Sequence, residues 1–212
     1  MKNTRLEDGR VRRSRSNNAA LLASARDVFR ECGYHAATVS AIAARAGVAH
    51  GTFYSHFKGK DDILIHLLDE LAAAFDVTME APTAHSVAEN RRIVQDQVER
   101  FLRLATEWQT TLRVYHEAMG VSPTVAAHWE TLIGRVEART VADIRRHRRL
   151  GWSRPLDPDI VGRGLVHMVL HFFWGLVLGR EQPSAIPLIA HTLTALYFDG
   201  LYLPGPSPAG EG

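Results

Sequence analysis

The chain has 212 residues, 46% hydrophobic and 23% charged, a globular composition with room for a small domain joined to a larger one. Its single cysteine, Cys32, excludes an internal disulfide framework and suits a reducing cytoplasm. Net charge is only +2, but residues 1–60 hold eleven Lys and Arg against four Asp and Glu, and the remainder is acidic. That asymmetry points to a polyanion-binding segment joined to one that avoids polyanions.

The first sixteen residues are polar and basic and lack the apolar core of a secretory signal. They are expected to form a disordered arm. Its Arg10, Arg12, Arg13 and Arg15 either reach into a minor groove or simply keep the chain soluble. From there on nearly every segment has helical spacing and none alternates like a strand, so the predicted fold is all-α. A first helix is predicted over 18–32, with Leu22, Ala25 and Phe29 inside, Cys32 as a small packing residue and Gly33 as its stop. Thr38 is the expected N-cap of a short helix through Ala46, buried through Ile42 and Ala43 and ended by Gly47. A second short helix is predicted over 49–56, and Gly59 breaks it.

A fourth helix starts near Lys60, where Asp61 and Asp62 complement the helix dipole. It carries the stripe Ile63, Leu64, Leu67, Leu68, Leu71 and Phe75, and Pro82 closes the region. Ser86 with Glu89 is a capping-box signature for a helix whose inner face is Val94, Val98, Phe101, Leu102 and Trp108. A short helix over 110–119 follows, and Ser122-Pro123 opens another to about His147. It ends in RRHRR, residues 145–149, whose cations offset the dipole. Asp157-Pro158 repeats the cap-then-proline opening before two last helices over 158–179 and 184–200. The apolar run from Ile160 to Leu178 contains Arg163, His167 and His171, so it is predicted to be buried in protein rather than to span a membrane. The expected organisation is a disordered arm at 1–16, a small basic three-helix domain at 17–60, a larger helical domain at 61–203 and a disordered tail at 204–212.

The stretch GVAHGTFYSHFKGKDDIL, residues 47–64, carries the chemistry. A short helix, a glycine-containing turn and a second short helix with a polar outer face is the helix-turn-helix pattern. Its second helix enters the DNA major groove, where hydroxyls and cations meet phosphates and residues at the helix start reach base edges. Small Ala49 and Gly51 permit close approach. Taken with the residues before it, GYHAATVSAIAARAGVAHGTFYSHFKGKDDIL resembles the DNA-binding signature of the TetR (tetracycline-repressor) family of bacterial transcriptional regulators, over about Leu21 to Leu68. The later helices resemble that family only in number and length.

The resemblance implies phosphate contacts from Thr38, Tyr54, His56 and Lys60, and base contacts from His50, Gly51, Thr52 and Ser55. It implies inward packing of Phe53 and Phe57. Two positions depart from the pattern: Ala49 stands where a hydroxyl residue is frequent, and His50 where Lys or Arg is common, which leaves the preferred base open. Packing remains the competing role for Tyr54, a structural hydrogen bond that for His56, and Lys58 reads as a solvated turn residue. The resemblance further implies a homodimer on a pseudo-palindromic stretch of double-stranded DNA, joined through the last two helices, with a small-molecule effector in the larger domain. Gly162, Gly164, Gly175 and Gly179 would allow those last helices to approach closely.

Trp108, Tyr115, Trp129, His167 and His171 are the candidate effector lining, and their lack of acidic groups favours a mainly hydrophobic molecule. His167 and His171 also have metal-compatible spacing, but no cysteine or acidic partner adjoins them in sequence. No phosphate-cradling loop, nucleophile elbow or HExxH motif is present, so no catalytic residue, metal or cofactor is assigned. The expected function is a cytoplasmic, ligand-responsive repressor. The competing expectation is an all-α enzyme or small-molecule-binding protein using His116, His128, His167 or His171.

Overall fold

A computed structural model describes residues 2–78 and 83–201, and every regular element among them is helical. In chain order these are α1 (Lys2–Ala36), α2 (Val39–Arg45), α3 (His50–Tyr54), α4 (Lys60–Thr78), α5 (Val87–Glu107), α6 (Gln109–Met119), α7 (Pro123–Arg149), α8 (Pro158–Val177) and α9 (Ile186–Leu201). A 3-10 turn at Pro183–Ala185 precedes α9. The all-α expectation holds. Pro82, the predicted tail at 204–212 and the Phe75 side chain lie outside what is described.

The helices form two compact units, residues 1–73 with 110–129, and residues 74–109 with 130–212. The division predicted at residue 60 therefore falls elsewhere. The start of α4 belongs to the first unit because its apolar stripe completes that core: Ile63, Leu64, Leu67, Leu68 and Leu71 are buried there. Phe29, Leu64, Leu67 and Val114 line one small void, which brings α6 into the same unit.

The N-terminal arm is the clearest difference from expectation. Residues 2–16 continue α1 as helix rather than forming a disordered segment. No proline interrupts them, Arg, Leu and Glu are good helix formers, and extending an existing helix needs no new nucleus. The buried stripe of α1 is Leu21, Ala25, Val28 and Phe29, while Leu22, expected inside, is half-buried. Cys32, expected to pack, is exposed and donates its thiol back to the Val28 carbonyl at 3.1 Å. At Gly33 the helix kinks, with φ 72° and ψ −177°, before Tyr34 resumes it.

Local capping explains α2 to α4. Thr38 is extended (φ −127°, ψ 150°) and its Oγ1 accepts the Ala41 N–H at 3.1 Å. Gly47, at φ 66°, closes α2 as a Schellman turn: its N–H goes to Ala44 O, and that of Val48 to Ala43 O. Ala49 offers α3 no side-chain cap, as its methyl must. At α4 the Asp62 carboxylate accepts the Lys58 N–H at 2.8 Å, beyond its predicted complement to the dipole.

In the second unit α5 packs against α8 and α9. The Phe101 and Phe173 rings stack at 4.6 Å, and Ile144, Tyr197, Phe198 and Leu201 form a core with Val94, Trp152 and Leu165 against it. The capping box is present: Ser86 Oγ accepts the Glu89 N–H at 3.1 Å, and the Glu89 carboxylate reaches back to the His85 N–H at 2.7 Å. Asp157 caps α8 through the N–H groups of Asp159 and Ile160. α8 is long and apolar enough to cross a membrane by composition, yet Val166, Leu170, Phe173, Leu176 and Val177 are buried in the unit, as a core helix requires. The basic end of α7 is largely taken up locally. Arg145 pairs with Asp159 at 2.7 Å, and His147 is buried against the Trp152 ring, with burial pushing its imidazole below the ordinary range.

Of the four glycines expected to permit close approach, Gly162 does so within the chain: a Cβ there would lie 2.6 Å from Val141 Cγ2 and 3.4 Å from its nitrogen. At Gly175 the obstacle is the flexible Glu181 side chain, Gly164 faces open space, and Gly179 (φ 73°) closes α8 in a left-handed turn. Gly162→Ala is expected to cost about 1–3 kcal/mol through overpacking. Gly134→Ala, in open space on α7, should gain up to about 1 kcal/mol from helix propensity. Denaturant melts of the two variants check this, and similar shifts in both would mean that α7 and α8 are not in that contact.

Candidate nucleic-acid interface

The reading surface is built outward from two phenylalanines. Phe53 and Phe57 are buried, with rings 5.7 Å apart, and they anchor α3 and the turn after it. With Phe53 inside, His50, Gly51, Tyr54 and Ser55 are exposed and Thr52 is half-buried. The His50 ring meets Tyr54 edge-on at 5.2 Å, holding both on one outer face. Ser55 Oγ donates to Thr52 O at 2.6 Å, so its hydroxyl is available to an outside group only as an acceptor. A Cβ on Gly51 would meet nothing within 4 Å.

Thr38 is exposed at the start of α2, where its oxygen is already engaged as a cap. His56 is half-buried and lines a concavity on the α1 side together with Arg15 and Asn18. Of the eight residues expected at the interface, seven thus lie on or beside α2, α3 and the turn that follows.

Lys60 is placed differently. Its ammonium donates to Tyr34 O at 3.0 Å, lies 3.4 Å from Ala37 O and 3.5 Å from His35 O, and sits 4.2 Å from the centre of the Tyr34 ring. These carbonyls are the ones left without helical partners where α1 kinks and ends, and a cation there offsets their partial negative charge. These internal bonds compete with the phosphate contact implied for Lys60 by resemblance. Lys60→Met keeps the aliphatic stem and removes the charge; it is expected to lower stability by about 1.5–3 kcal/mol. Its salt dependence of DNA binding should match wild type. An unchanged melting point with a salt slope lower by about one would restore the phosphate role.

Around this lysine is a polar junction that sequence spacing does not reveal. Asp61 accepts the Tyr34 hydroxyl on one oxygen and the Ser122 hydroxyl on the other, the latter at 2.6 Å. Glu117 accepts the backbone N–H groups of Tyr34 and His35 at 3.1 and 3.2 Å. Burial, and then the hydrogen bond to Asp61, push the Tyr34 hydroxyl up to about 12. One turn further into α6 and α7, the Tyr115 hydroxyl donates to Val125 O at 3.0 Å and meets His128 Nδ1 at 3.0 Å. His128 Nε2 lies 3.0 Å from Asp69. Of all this the sequence marked only Gly33, as the stop of the first helix.

The five effector candidates divide between the two units. Tyr115 and Trp129 share the first unit, with ring centres 6.0 Å apart, while Trp108, His167 and His171 belong to the second. His167 and His171 are exposed, and His167 pairs with Glu137 at 3.0 Å. Their expected position lining a pocket is corrected by helix phase: Val166, Leu170 and Phe173 form the inward stripe of α8, and 167 and 171 lie one residue round from it. Among the described residues no group of three His, Cys, Asp or Glu is placed to hold a metal ion.

The sequence profile described as bacterial regulatory proteins, tetR family, matches residues 21–67. The chain is 26% identical over 193 residues to the HTH-type transcriptional regulator EthR of Mycolicibacterium smegmatis, covering 91% of this chain and 88% of that one. Over 70 residues it is 43% identical to the fatty acid metabolism regulator protein of Bacillus subtilis, covering 33% of this chain and 36% of that protein. Among solved structures, SmeT, the repressor of the Stenotrophomonas maltophilia multidrug efflux pump SmeDEF, superposes with a TM-score of 0.68 at 21% identity, covering 91% of this chain and 94% of that one. At that identity the likeness establishes the fold.

Proposed function

The chain belongs to the TetR family of bacterial regulatory proteins, and from that premise we propose that it is a ligand-responsive repressor acting as a homodimer on a pseudo-palindromic operator. The observation that carries the DNA-facing assignment is Gly51. A glycine inside a helix costs about 1 kcal/mol relative to alanine. Nothing in the fold requires it, because a side chain there would meet open space. The close approach of an outside surface would account for it, and α3 turns His50, Tyr54 and Ser55 to the same exterior.

In this reading His50, Gly51, Thr52 and Ser55 face the bases, and Thr38, Tyr54 and His56 face phosphates, with the Tyr54 hydroxyl as an exposed donor. Dimerisation uses the exposed apolar residues of α8 and α9, including Ile160, Met168, Leu188 and Leu196. The effector is a small, mainly hydrophobic molecule. Support for that comes from the apolar composition of the second unit and from likeness to SmeT, which has been solved with triclosan, and to a fatty acid metabolism regulator. It acts by binding one of two conformational states more tightly, since equal affinity would regulate nothing. Such a protein works in the cytoplasm without catalysis.

Fluorescence anisotropy with the DNA upstream of its own gene tests the reading. A salt-sensitive complex whose partner sediments as a dimer is expected. A folded protein that binds no DNA, or one that binds it as a monomer at micromolar concentration, would sink the corresponding part of the proposal.

A further inference from the structure

We propose that the N-terminal turns of α1 form a second DNA-contacting element, a helical rail that lays Arg12 and Arg15 along the phosphate backbone beside the reading helix. The proposal rests on the DNA-binding reading above and adds a contact that the helix-turn-helix does not contain. The family profile begins only at residue 21, so these residues lie outside the matched segment.

Three observations lead to it. First, α1 is helical from Lys2, so its basic residues have a fixed angular register. Arg15, Asn18, Leu22 and Arg26 face one open concavity of about 590 Å³, which His56 lines from the end of α3. Arg12 precedes Arg15 by three residues and so lies on the same helical face about 4.5 Å further back. Arg13 is about 160° away from Arg15 around the axis, on the opposite side.

Second, the charge of the concavity is unbalanced. Its one carboxylate, Glu70, is already paired with Arg26 at 2.6 Å. Arg12 and Arg15 are exposed and have no ion pair among the described residues. Arg15 therefore faces outward beside His56, two residues past the end of α3, and helical phase puts Arg12 one turn back on the same face. A row of cations fits a polyanion with regularly spaced charges, and each strand of duplex DNA presents one phosphate charge per about 3.4 Å of helix axis.

Third, helicity decides how the contact is made. An α-helix with its side chains is about 10–12 Å across, whereas the minor groove is about 6 Å wide. A rail of this kind cannot thread that groove as an extended basic arm does, so it touches phosphates and adds affinity without reading sequence. Minor-groove insertion, one of the two roles the sequence left open for these arginines, does not fit a helical, registered pair.

The test uses the full chain, anisotropy titrations from about 50 to about 200 mM salt, and two duplexes: the upstream DNA and a scrambled sequence of equal length. The Arg12→Ala, Arg15→Ala double variant is expected to lose affinity for both duplexes by a similar factor, about tenfold or more, and to lower the salt slope by about two per bound subunit. Arg13→Ala is the internal control and should keep the wild-type slope. Alanine favours helix, so the variants are expected to fold, and circular dichroism verifies it. A double variant with the wild-type slope overturns the rail. So does an equal loss in Arg13→Ala, which would mean diffuse charge without register. A loss confined to A·T-rich flanks would overturn it in favour of a minor-groove arm. If wild type binds neither duplex, the DNA-binding reading fails and the rail with it.

Discussion

Replacing Gly33 with alanine is expected to destabilise the N-terminal unit by about 2–3 kcal/mol and to weaken DNA binding accordingly. Gly33 has φ 72° and ψ −177°, a region that L-residues enter at a cost of about 1–3 kcal/mol. The added Cβ would also lie 3.1 Å from Glu117 Oε2, the oxygen that accepts the Tyr34 N–H. Moving that carboxylate weakens two backbone hydrogen bonds at once, each worth about 1 kcal/mol. The reading helix would feel the change because Tyr34 also anchors Lys60 and Asp61 at the start of α4. Asparagine, which tolerates ordinary left-handed positions, should fail at Gly33 because ψ is wrong for it. At Gly47, a Schellman glycine in open space, Gly47→Asn should cost far less. Denaturant melts of the three variants decide it, and equal tolerance of asparagine at both sites would refute the kink argument.

Raising the pH above about 10 is expected to destabilise the same unit. The Tyr34 hydroxyl is pushed up to about 12, chiefly by burial and next by Asp61. Burial also pushes the Tyr115 hydroxyl up, with the Asp69 charge adding to it. In the unfolded chain both ionise near their ordinary value of about 10, whereas the folded chain keeps its protons. The unfolded state then binds fewer protons, so stability falls as pH rises. The contribution is complete below about pH 10 and is lost as pH climbs through the folded value of Tyr34, at up to about 1.4 kcal/mol per pH unit for each tyrosine. Tyr34→Phe should remove roughly half of this slope, while at neutral pH it costs the hydrogen bond to Asp61. Thermal melts from about pH 9 to about pH 11 measure it, and a flat profile in wild type would refute the burial of these hydroxyls.

Where sequence and structure agree, the cause is local. Thr38, Gly47, Ser86 and Asp157 were legible because a cap acts on a backbone group within five residues of itself. The exposed face of α3 was legible for a related reason, since burying Phe53 in so short a helix leaves His50, Gly51, Tyr54 and Ser55 outside. The buried phase of α1 was misread by one residue, because Leu21 and Leu22 are equally apolar and spacing alone does not choose between them. His167 and His171 were misread similarly, being neighbours of the inward stripe of α8 rather than members of it. The helical rail was missed because a basic, polar composition looks like a disordered arm, although nothing in it breaks a helix apart from the mild cost of Gly9.

The sequence by itself determined the helical class, the caps and turns around α2 and α3, and the family resemblance, because each depends on residue types within a few positions of one another. Tertiary structure alone decided what Lys60 does, which glycine meets a neighbour, and where the units divide. Lys60 reaches carbonyls at residues 34–37, Asp61 meets Ser122 and Glu117 meets Tyr34. These partners lie tens of residues apart along the chain, at separations where no periodicity survives to mark them. A cation near a phosphate-binding motif looks the same in sequence whether it faces DNA or a helix end, and only the folded backbone supplies the carbonyls that hold it.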